Sequence, residues 1–415
     1  MPSFSVPLSG LNSSSQEMTL IANNLANLNT PGYKSSVAQF TTLFYQSLGE
    51  SGDGNPMQVG TGTAIGNVTM NLTDGAIQST GINSNLAIQG SGMFVVNNNG
   101  QQVYTRAGDF VLGNTGYLEA SDGSLVQGYP AVNGVVNPNA PLGNLLVGSG
   151  ITSPARATAN VTMGMNLDSQ TAVGGTFSQP VQVYDSLGGT HTLTATFTKT
   201  GTNAWSYTVT LPGADTGGAT PTTMASGNLT FNTSGDLTGG TGTPPQITVN
   251  LTSPALADGA AAFNINWKLF GPQGNSLITQ AAAASAPLAS HQDGVPSGSL
   301  INFSIGPDGS ITGAFSNGQS QTLGQVVLAT FANDQGIQAV GNNNFIATAA
   351  SGIATIGTPG SGNRGSVQGS SIEQSNVDIA GQFAELIQAQ QSYEASAKAV
   401  TTFNQVTQAT LNMQQ

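Results

Sequence analysis

The sequence predicts a mainly β protein with an α-helix near each terminus, and three observations support this. Apolar residues near both ends recur at alternating spacings of four and three, which is typical of helices that pair. Short β-branched or alternating runs fill the region between them, and turn sequences separate those runs. With 415 residues, the chain exceeds the ~250 residues at which a single hydrophobic core stops growing. We therefore expect several domains.

The first helix is predicted to carry an apolar seam and to end abruptly. Pro31 disfavours helical backbone at the preceding residue and cannot donate the next backbone hydrogen bond, so it ends the pattern together with Gly32. The seam, with a second face that widens it, comprises Phe4, Leu8, Leu11, Met18, Ile21, Ala22, Leu25 and Leu28. The turn after it comprises Asn29, Thr30, Pro31, Gly32 and Tyr33.

The last helix is predicted to be longer, spanning residues 376–415 and about 60 Å. Ser375 or Asn376 is the expected N-cap, with Asp378 in the first turn. Both terminal segments carry few charges, so we expect their surfaces to be buried against other copies of the chain. The seam of the last helix comprises Ile379, Phe383, Leu386, Gln390, Tyr393, Ala397, Val400 and Leu411.

The region between the helices favours β-sandwiches or barrels, because its short strands follow one another closely. Composition changes near residues 49–66, 148–157 and 280–298 indicate domain boundaries. We expect an extended linker at 31–70, a first β-domain at 71–149 and 286–372, and a second β-domain inserted at 150–285.

Composition also limits the function. The net charge is −12 and the seven Lys and Arg residues lie singly, so nucleic acid and anionic membranes are improbable partners. No cysteine is present to form disulfides or bind metal as a thiolate. His191 and His291 are expected to be isolated surface or turn residues, and the glycine-rich stretches at 60–66 and 239–245 lack the context of nucleotide loops. We predict no catalytic residue, metal site or cofactor.

Targeting signals are not evident. No stretch approaches the ~20 apolar residues that cross a bilayer. The N-terminus lacks the basic and apolar regions of a cleaved signal peptide, which indicates a cytoplasmic protein or export by another signal.

Several motifs, in order, resemble the bacterial flagellar rod and hook axial proteins. ANNLANLNTPGYK (22–34) is similar to the N-terminal signature of that family, and SNVDIAGQFAELIQAQQSYEASAKAVTTFNQV (375–406) resembles its C-terminal helix. LAIQGSGMFVV (86–96) and YTRAGDFVLGNTGYLEASDGSLVQGY (104–129) resemble the shared first β-domain. VQVYDSLGGTHTLTATF (181–197) and GNLTFNTSGDL (227–237) are similar to the outer domain of the hook branch.

This resemblance implies an architecture and a function. The terminal helices would pair as a coiled coil in the inner layer of a tube, residues 31–70 would contact neighbouring subunits, and the β-domains would form outer shells. The chain would be a non-enzymatic subunit that polymerises with itself into the flagellar hook, a curved flexible tube that transmits torque from rod to filament and encloses the export channel. Further partners would be the rod subunit, the hook cap and the hook-filament junction proteins.

The resemblance also implies an extracellular location at the hook, reached through the flagellar type III export apparatus without a cleaved signal peptide. Phe40 and Phe44 resemble a short export motif of such substrates, although a core contact would explain them equally well. The alternatives are a distal-rod or hook-filament junction protein, an extracellular β-rich adhesin, or a glycan hydrolase with an unidentified carboxylate pair. We also expect the terminal helices to be unordered before assembly, because their seams would have no partner in the monomer.

Overall fold

A computed structural model describes residues 5–50, 55–148, 150–239, 246–252 and 255–413. The chain divides into two compact units. The terminal unit comprises Met1–Ser149, Asn302–Gly313 and Ser320–Gln415, and the inserted unit comprises Gly150–Ile301 and Ala314–Gln319. The predicted class is confirmed, since strands dominate and one helix lies near each terminus.

The elements follow one another in a single series. Up to residue 144 they are α1 Ser5–Ala26, β1 Ser36–Thr42, β2 Tyr45–Glu50, β3 Pro56–Gly60, β4 Thr63–Met70, β5 Ile77–Ser79, β6 Leu86–Gln89, β7 Met93–Asn98, β8 Gln101–Thr105, β9 Val111–Leu112, β10 Leu118–Glu119, β11 Leu125–Val132, β12 Val135–Val136 and β13 Gly143–Asn144. Then come β14 Thr152–Ser153, β15 Asn160–Asp168, β16 Thr176–Tyr184, β17 Thr190–Gly201, β18 Ala204–Leu211, β19 Thr222–Phe231, β20 Leu237–Gly239, β21 Gln246–Leu251, β22 Phe263–Lys268, β23 Ile278–Ala281, β24 Ala286–Gln292 and β25 Gly298–Ile305. The last are β26 Ser310–Phe315, β27 Ser320–Val326, β28 Leu328–Thr330, β29 Gln338–Gly341, β30 Asn344–Ile346, β31 Thr355–Gly357, β32 Ser366–Gly369, β33 Ser371–Glu373 and α2 Ile379–Asn412.

Residues 31–70 do not form the extended linker that was expected. β1 pairs with β4 in antiparallel register, from Ser36 opposite Met70 to Thr42 opposite Thr63. β2 and β3 form a second antiparallel pair. Among the glycines that suggested a linker, Gly49, Gly60 and Gly66 lie within these strands, where backbone pairing outweighs the low strand preference of glycine.

The terminal unit also contains a mostly antiparallel β-domain. Its main sheet runs in the order β27-β11-β7-β8-β30-β29, and β32 and β33 add pairs with β6 and β5. A closed core lies against this sheet, with Phe94 and Phe110 in edge-to-face contact at 5.1 Å between ring centroids. Each fully buried large apolar side chain contributes roughly 1.5–3 kcal/mol, so this domain has its own source of stability.

The inserted unit has a core between two sheets. One sheet is the meander β16-β17-β18-β19-β20, and the other runs β21-β22-β15-β23 with β24 also paired to β15. Side chains along β17 alternate between buried and less buried, as a half-buried strand requires. Phe197 and Trp267, one from each sheet, meet edge to face at 6.0 Å.

The expected end of the insertion at residue 285 is wrong. β24 pairs with β15 over Val161 opposite Gln292 to Asn166 opposite Ala286, so residues 286–301 belong to the inserted unit. Residues 314–319 belong to it as well. The segment around β24 is rich in Ala, Ser and Pro, so its sequence resembles that of a linker. It forms a strand because the edge of β15 supplies a pairing partner.

Both helices are shorter than expected. α1 ends at Ala26, and turns carry the chain through Gly32. α2 begins at Ile379 with Asp378 as N-cap, whose side chain accepts a hydrogen bond from the N–H of Ala380 at 3.1 Å. The expected caps Ser375 and Asn376 lie before the helix. No helix among the described residues has both the length and the apolar character needed to cross a membrane.

Candidate assembly interface

A buried ionic cluster joins the N-terminal segment, the β-domain of the terminal unit and the segment that leads into α2. Glu373, the last residue of β33, is 1% exposed. Its Oε1 accepts hydrogen bonds from Lys34 Nζ at 2.6 Å and from the N–H of Gly75 at 2.8 Å. Its Oε2 accepts from Arg106 Nε at 2.5 Å, and Arg106 Nη2 donates to Asp74 Oδ1 at 2.8 Å. We call Lys34, Asp74, Arg106 and Glu373 the Glu373 anchor.

The charges in the anchor are balanced, with two cations and two carboxylates. Arg106 also donates to the carbonyl oxygens of Gly92 at 2.7 Å and Ile88 at 3.1 Å, so the guanidinium lies within the β-domain. Burial lowers the pKa of Lys34 below its ordinary value of 10.5, although the carboxylate of Glu373 opposes this shift. Lys34, Arg106 and Glu373 are buried, whereas Asp74 is partly exposed, so removing one of the buried three leaves an uncompensated buried charge, which costs about 3–5 kcal/mol.

The turn after α1 lies directly beside the anchor. The N–H of Gly32 donates to the carbonyl oxygen of Glu373 at 2.8 Å, and Asn343 Nδ2 donates to the carbonyl oxygen of Pro31 at 2.9 Å. Gly32 has a φ of +66°, and a Cβ there would lie 2.5 Å from the carbonyl carbon of Arg106. Only glycine meets both demands.

α1 and α2 are joined by side-chain amides. Asn24 Nδ2 donates to Gln382 Oε1 at 2.9 Å and to the carbonyl oxygen of Ser36 at 2.8 Å. Tyr33 Oη donates to Asn24 Oδ1 at 3.2 Å, and Gln382 Nε2 donates to Glu385 Oε2 at 2.8 Å. Burial raises the pKa of Tyr33, which favours the protonated hydroxyl that this bond requires. The helices therefore meet through a polar contact at one end.

The face of α2 that is covered within the chain differs from the predicted seam. Leu386, Tyr393, Ala397 and Val400 are half-buried, but Ile379, Phe383, Gln390 and Leu411 are exposed. The most buried residues of α2 are Gln382 and Ala389, which lie one position before Phe383 and Gln390. The helices approach through small and amide side chains, so only half of the predicted seam is covered within the chain. Ile379, Phe383, Gln390 and Leu411 remain predicted contacts between subunits.

The α1 seam is divided in the same way. Ile21 is buried, and Leu11, Met18, Leu25 and Leu28 are half-buried, whereas Leu8 and Ala22 are exposed. Phe4 lies outside the described residues. The expectation that these seams have no partner in the monomer is wrong for the covered residues, because α1 contacts α2, β1 and β4.

Large apolar side chains remain exposed on the terminal segments. The helix set comprises Val6, Leu8, Ile379, Phe383, Ile387, Val406 and Leu411, and the hairpin set on β1 to β4 comprises Val37, Phe40, Leu43, Phe44, Tyr45, Met57, Val59 and Val68. Phe44 is 89% exposed, so it makes no core contact within the chain. Exposed apolar groups on this scale are typical of interaction surfaces.

Sequence reasoning missed the Glu373 anchor. Lys34 and Arg106 lie inside the motifs PGYK and YTRAGD, and only seven Lys and Arg residues occur in the chain. In so weakly charged a sequence, a cation within a motif is a signal that could have been used. The partner, Glu373, follows 267 residues after Arg106, so no local pattern identifies it.

Four family models match the chain. They are the flagellar basal body rod protein model at residues 5–34, the flagellar hook protein FlgE/F/G D1 domain at 87–166, the flagellar basal body protein FlaE D2 domain at 151–295, and the flagellar basal body rod FlgEFG protein C-terminal model at 368–413.

Curated relatives match along nearly all of the sequence. The flagellar hook protein FlgE of Salmonella typhimurium is 33% identical over 99% of this chain and 100% of its own length. That of Treponema pallidum is 35% identical over 95% of this chain and 96% of its own, and that of Escherichia coli is 32% identical over 99% of both. The chain therefore belongs to the flagellar hook protein family, and it is a structural subunit of the bacterial flagellar hook.

Proposed function

We propose that copies of this chain polymerise helically into a curved, flexible tube, and that α1, α2 and β1 to β4 supply the main contacts between subunits. One observation carries the proposal. Both β-domains have closed apolar cores, whereas the helix set and the hairpin set leave large apolar side chains in water. In a helical polymer, the same surfaces of each copy are covered by the next copies.

In this proposal the helices form the inner layer and α2 lines the export channel. The exposed faces of α2 include Gln388, Gln391, Ser392 and Gln408, which carry neither charge nor a large apolar group. Such a surface would not retain an unfolded chain in transit. The two β-domains would form the outer shells, and the Glu373 anchor would hold the helices to the first of them.

The division into a helical inner layer and outer β-domains also suggests a mechanical role for the subunit. We infer that the subunit is not an enzyme and that it transmits torque from rod to filament. Surfaces rich in Gly, Ser, Thr and Asn on the β-domains would make weak contacts that slide as the tube bends, while the helical layer stays continuous. Rod, hook-cap and hook-filament junction proteins would contact the same terminal segments at the ends of the polymer.

We also propose that the chain leaves the cell through the flagellar type III export apparatus without cleavage of a signal peptide. Phe40 and Phe44 support this route, because both side chains are exposed on and just after β1 and can be recognised before assembly.

To test assembly, we would replace apolar residues of α2 that are exposed within the chain. Ile379→Ser with Phe383→Ser is compared with Ile353→Ser, a residue 91% exposed outside the terminal helices. All variants should unfold within a few degrees of the natural chain, because exposed substitutions usually change stability by less than about 0.5 kcal/mol.

Electron microscopy of purified protein and of complemented cells then gives the outcome. The double variant should form few or short tubes, and its cells should lack hooks and motility, while Ile353→Ser should assemble normally. Hooks of normal number and length from the double variant would contradict the proposal.

A further inference from the structure

Four side chains converge at one end of the β16–β17 hairpin in the inserted unit. Asp185 directly follows β16, and His191 lies near the start of β17. Asp215 lies in a short 3-10 helix, Gly213–Thr216, and Asp258 lies in the loop before β22. His191 was expected to be a surface or turn residue, but it is only 6% exposed.

The hairpin turn fixes the first carboxylate. Asp185 is 0% exposed, and its Oδ1 accepts hydrogen bonds from the N–H groups of Leu187 at 2.7 Å and Gly189 at 2.9 Å. Its second oxygen, Oδ2, lies 2.8 Å from His191 Nε2. The backbone therefore holds one oxygen and presents the other to the imidazole.

A second carboxylate faces the same ring nitrogen. Asp258 Oδ2 lies 3.5 Å from His191 Nε2, and the ligand atoms of Asp185, His191 and Asp258 all lie within 4.8 Å of one another. One N–H cannot donate well to both carboxylates. The Asp258 side chain is 38% exposed, so the group is open to solvent on one side.

The other nitrogen of the ring has no hydrogen-bond partner among the described residues, although Asp215 Oδ2 lies 3.2 Å from it. No Lys or Arg in the described part of the chain forms an ion pair with these carboxylates. Three carboxylates around one imidazole leave an excess of at least two negative charges. Asp185 and His191 are buried, whereas Asp215 and Asp258 are partly exposed, so solvent screens part of this excess, and the remaining negative potential attracts a cation.

Gly189 lies close to both carboxylates. A Cβ at this position would lie 2.4 Å from Asp185 Oδ2 and 3.3 Å from Asp258 Oδ2. A side chain at residue 189 would therefore displace Asp185 Oδ2, so glycine is what allows the two carboxylate oxygens to approach His191 together.

We propose that Asp185, His191 and Asp258 bind a divalent transition-metal cation through Oδ2, Nε2 and Oδ2, with Asp215 as an outer carboxylate. Imidazole with two carboxylates suits zinc or manganese, whereas calcium prefers oxygen ligands alone. At bond lengths near 2.1 Å, tetrahedral ligand atoms are about 3.4 Å apart. The 3.5 Å pair already has this spacing, and the 2.8 Å pair needs to open by about 0.6 Å.

A cation at Nε2 would also fix the tautomer of His191, and a small adjustment of Asp215 would then give Nδ1 the partner that it lacks. Nδ1 would then carry the ring proton and point it toward Asp215, which is the usual arrangement of a histidine ligand with an outer carboxylate. The cation would link the β16–β17 turn to the loop that contains Asp258. It would stabilise the inserted unit independently of assembly.

The test uses the full chain, treated with a chelator and titrated with ZnCl₂ in a calorimeter, with the unfolding temperature measured in parallel. One equivalent of zinc should bind and raise that temperature. His191→Gln and Asp258→Asn should each weaken binding at least tenfold, and Asp215→Asn should weaken it by about 10- to 100-fold. Gly189→Ala should block binding while every ligand remains.

His291→Gln is the matched control, because His291 is exposed and distant in sequence. It should bind zinc as the natural chain does. Circular dichroism identifies any variant that fails to fold. Among the variants, Asp258→Asn should disturb folding least, because the side chain of Asp258 is partly exposed. The proposal is overturned if the natural chain binds no zinc at 100 times the protein concentration, if folded His191→Gln and Asp258→Asn bind it normally, or if His291→Gln loses binding equally.

Discussion

Asn24 and Gln382 are 358 residues apart in the sequence and are joined by a buried hydrogen bond of 2.9 Å between their side-chain amides. Asn24 also donates to Ser36 and accepts from Tyr33, so one amide connects both helices with the start of β1. This contact is one of those that join the N-terminal and C-terminal segments within one subunit.

Asn24→Ala should loosen the helix pair. It leaves Gln382 Oε1 and the carbonyl of Ser36 without their donor, which costs about 1–3 kcal/mol. Hydrogen exchange measured by mass spectrometry should show α1 amides exchanging roughly tenfold faster. Gln16→Ala, at an exposed position of the same helix, should leave the exchange rate unchanged. Equal exchange rates for Asn24→Ala and the natural chain would show that the Asn24–Gln382 contact does not stabilise α1.

Glu373→Gln should destabilise the terminal unit strongly. The substitution keeps the shape of the side chain but leaves Lys34 and Arg106 without their shared counter-charge, and we expect a loss of about 3–5 kcal/mol. Calorimetry should show a lower unfolding temperature for the transition of the terminal unit. Glu394→Gln on the exposed face of α2 should change it little. An unaltered temperature for Glu373→Gln would show that the anchor contributes nothing net.

Gly32→Ala should destabilise more than Gly81→Ala, although both glycines have φ near +70°. A Cβ at Gly81 meets nothing within 4 Å, so that variant reports only backbone strain of about 1–2 kcal/mol. A Cβ at Gly32 also collides with the backbone of Arg106. The difference between the two unfolding temperatures measures the close approach, and equal temperatures would show that the turn can move away from the β-domain.

Glu17 should make the helix pair sensitive to pH. Partial burial raises its pKa above the ordinary value of 4.5, and the nearby carboxylate of Glu385 raises it further. A carboxyl group with a raised folded pKa stabilises the fold below its unfolded pKa, and this contribution is lost as pH rises through the folded value.

Glu17→Gln should therefore raise α1 protection at pH 7 relative to the natural chain, and the two should converge near pH 4. Solvent screening keeps the effect below about 1 kcal/mol. Glu394→Gln serves as the control at both pH values. If the α1 amides of Glu17→Gln exchange faster than those of the natural chain at pH 7, the prediction is wrong.

Phe40→Ser with Phe44→Ser should reduce export. Neither phenylalanine belongs to a described core cluster, so the purified variant should unfold near the natural temperature. Comparing secreted with cellular protein by immunoblotting should show a severalfold lower secreted fraction. Val68→Ser, another exposed residue of the hairpin set, is the control for loss of apolar surface. Normal secretion with short hooks would assign both phenylalanines to subunit contacts instead.

The sequence by itself determined the class of the fold, the two terminal helices and the turn at Pro31 and Gly32. These features depend on local periodicity, on the restricted backbone of proline and on the positive φ that glycine allows. It also carried the motifs of the hook family, since the residues of each motif are contiguous.

Only the tertiary structure decided which face of α2 meets α1, where the inserted unit ends, and which charges pair. Gln382 and Ala389 are covered because small and amide side chains let the helices approach, and an apolar pattern cannot detect them. β24 is a strand because β15 offers it an edge. Folding brings Glu373 to Arg106 and His191 to Asp258, although both pairs are far apart in the sequence. No local sequence pattern encodes such proximity.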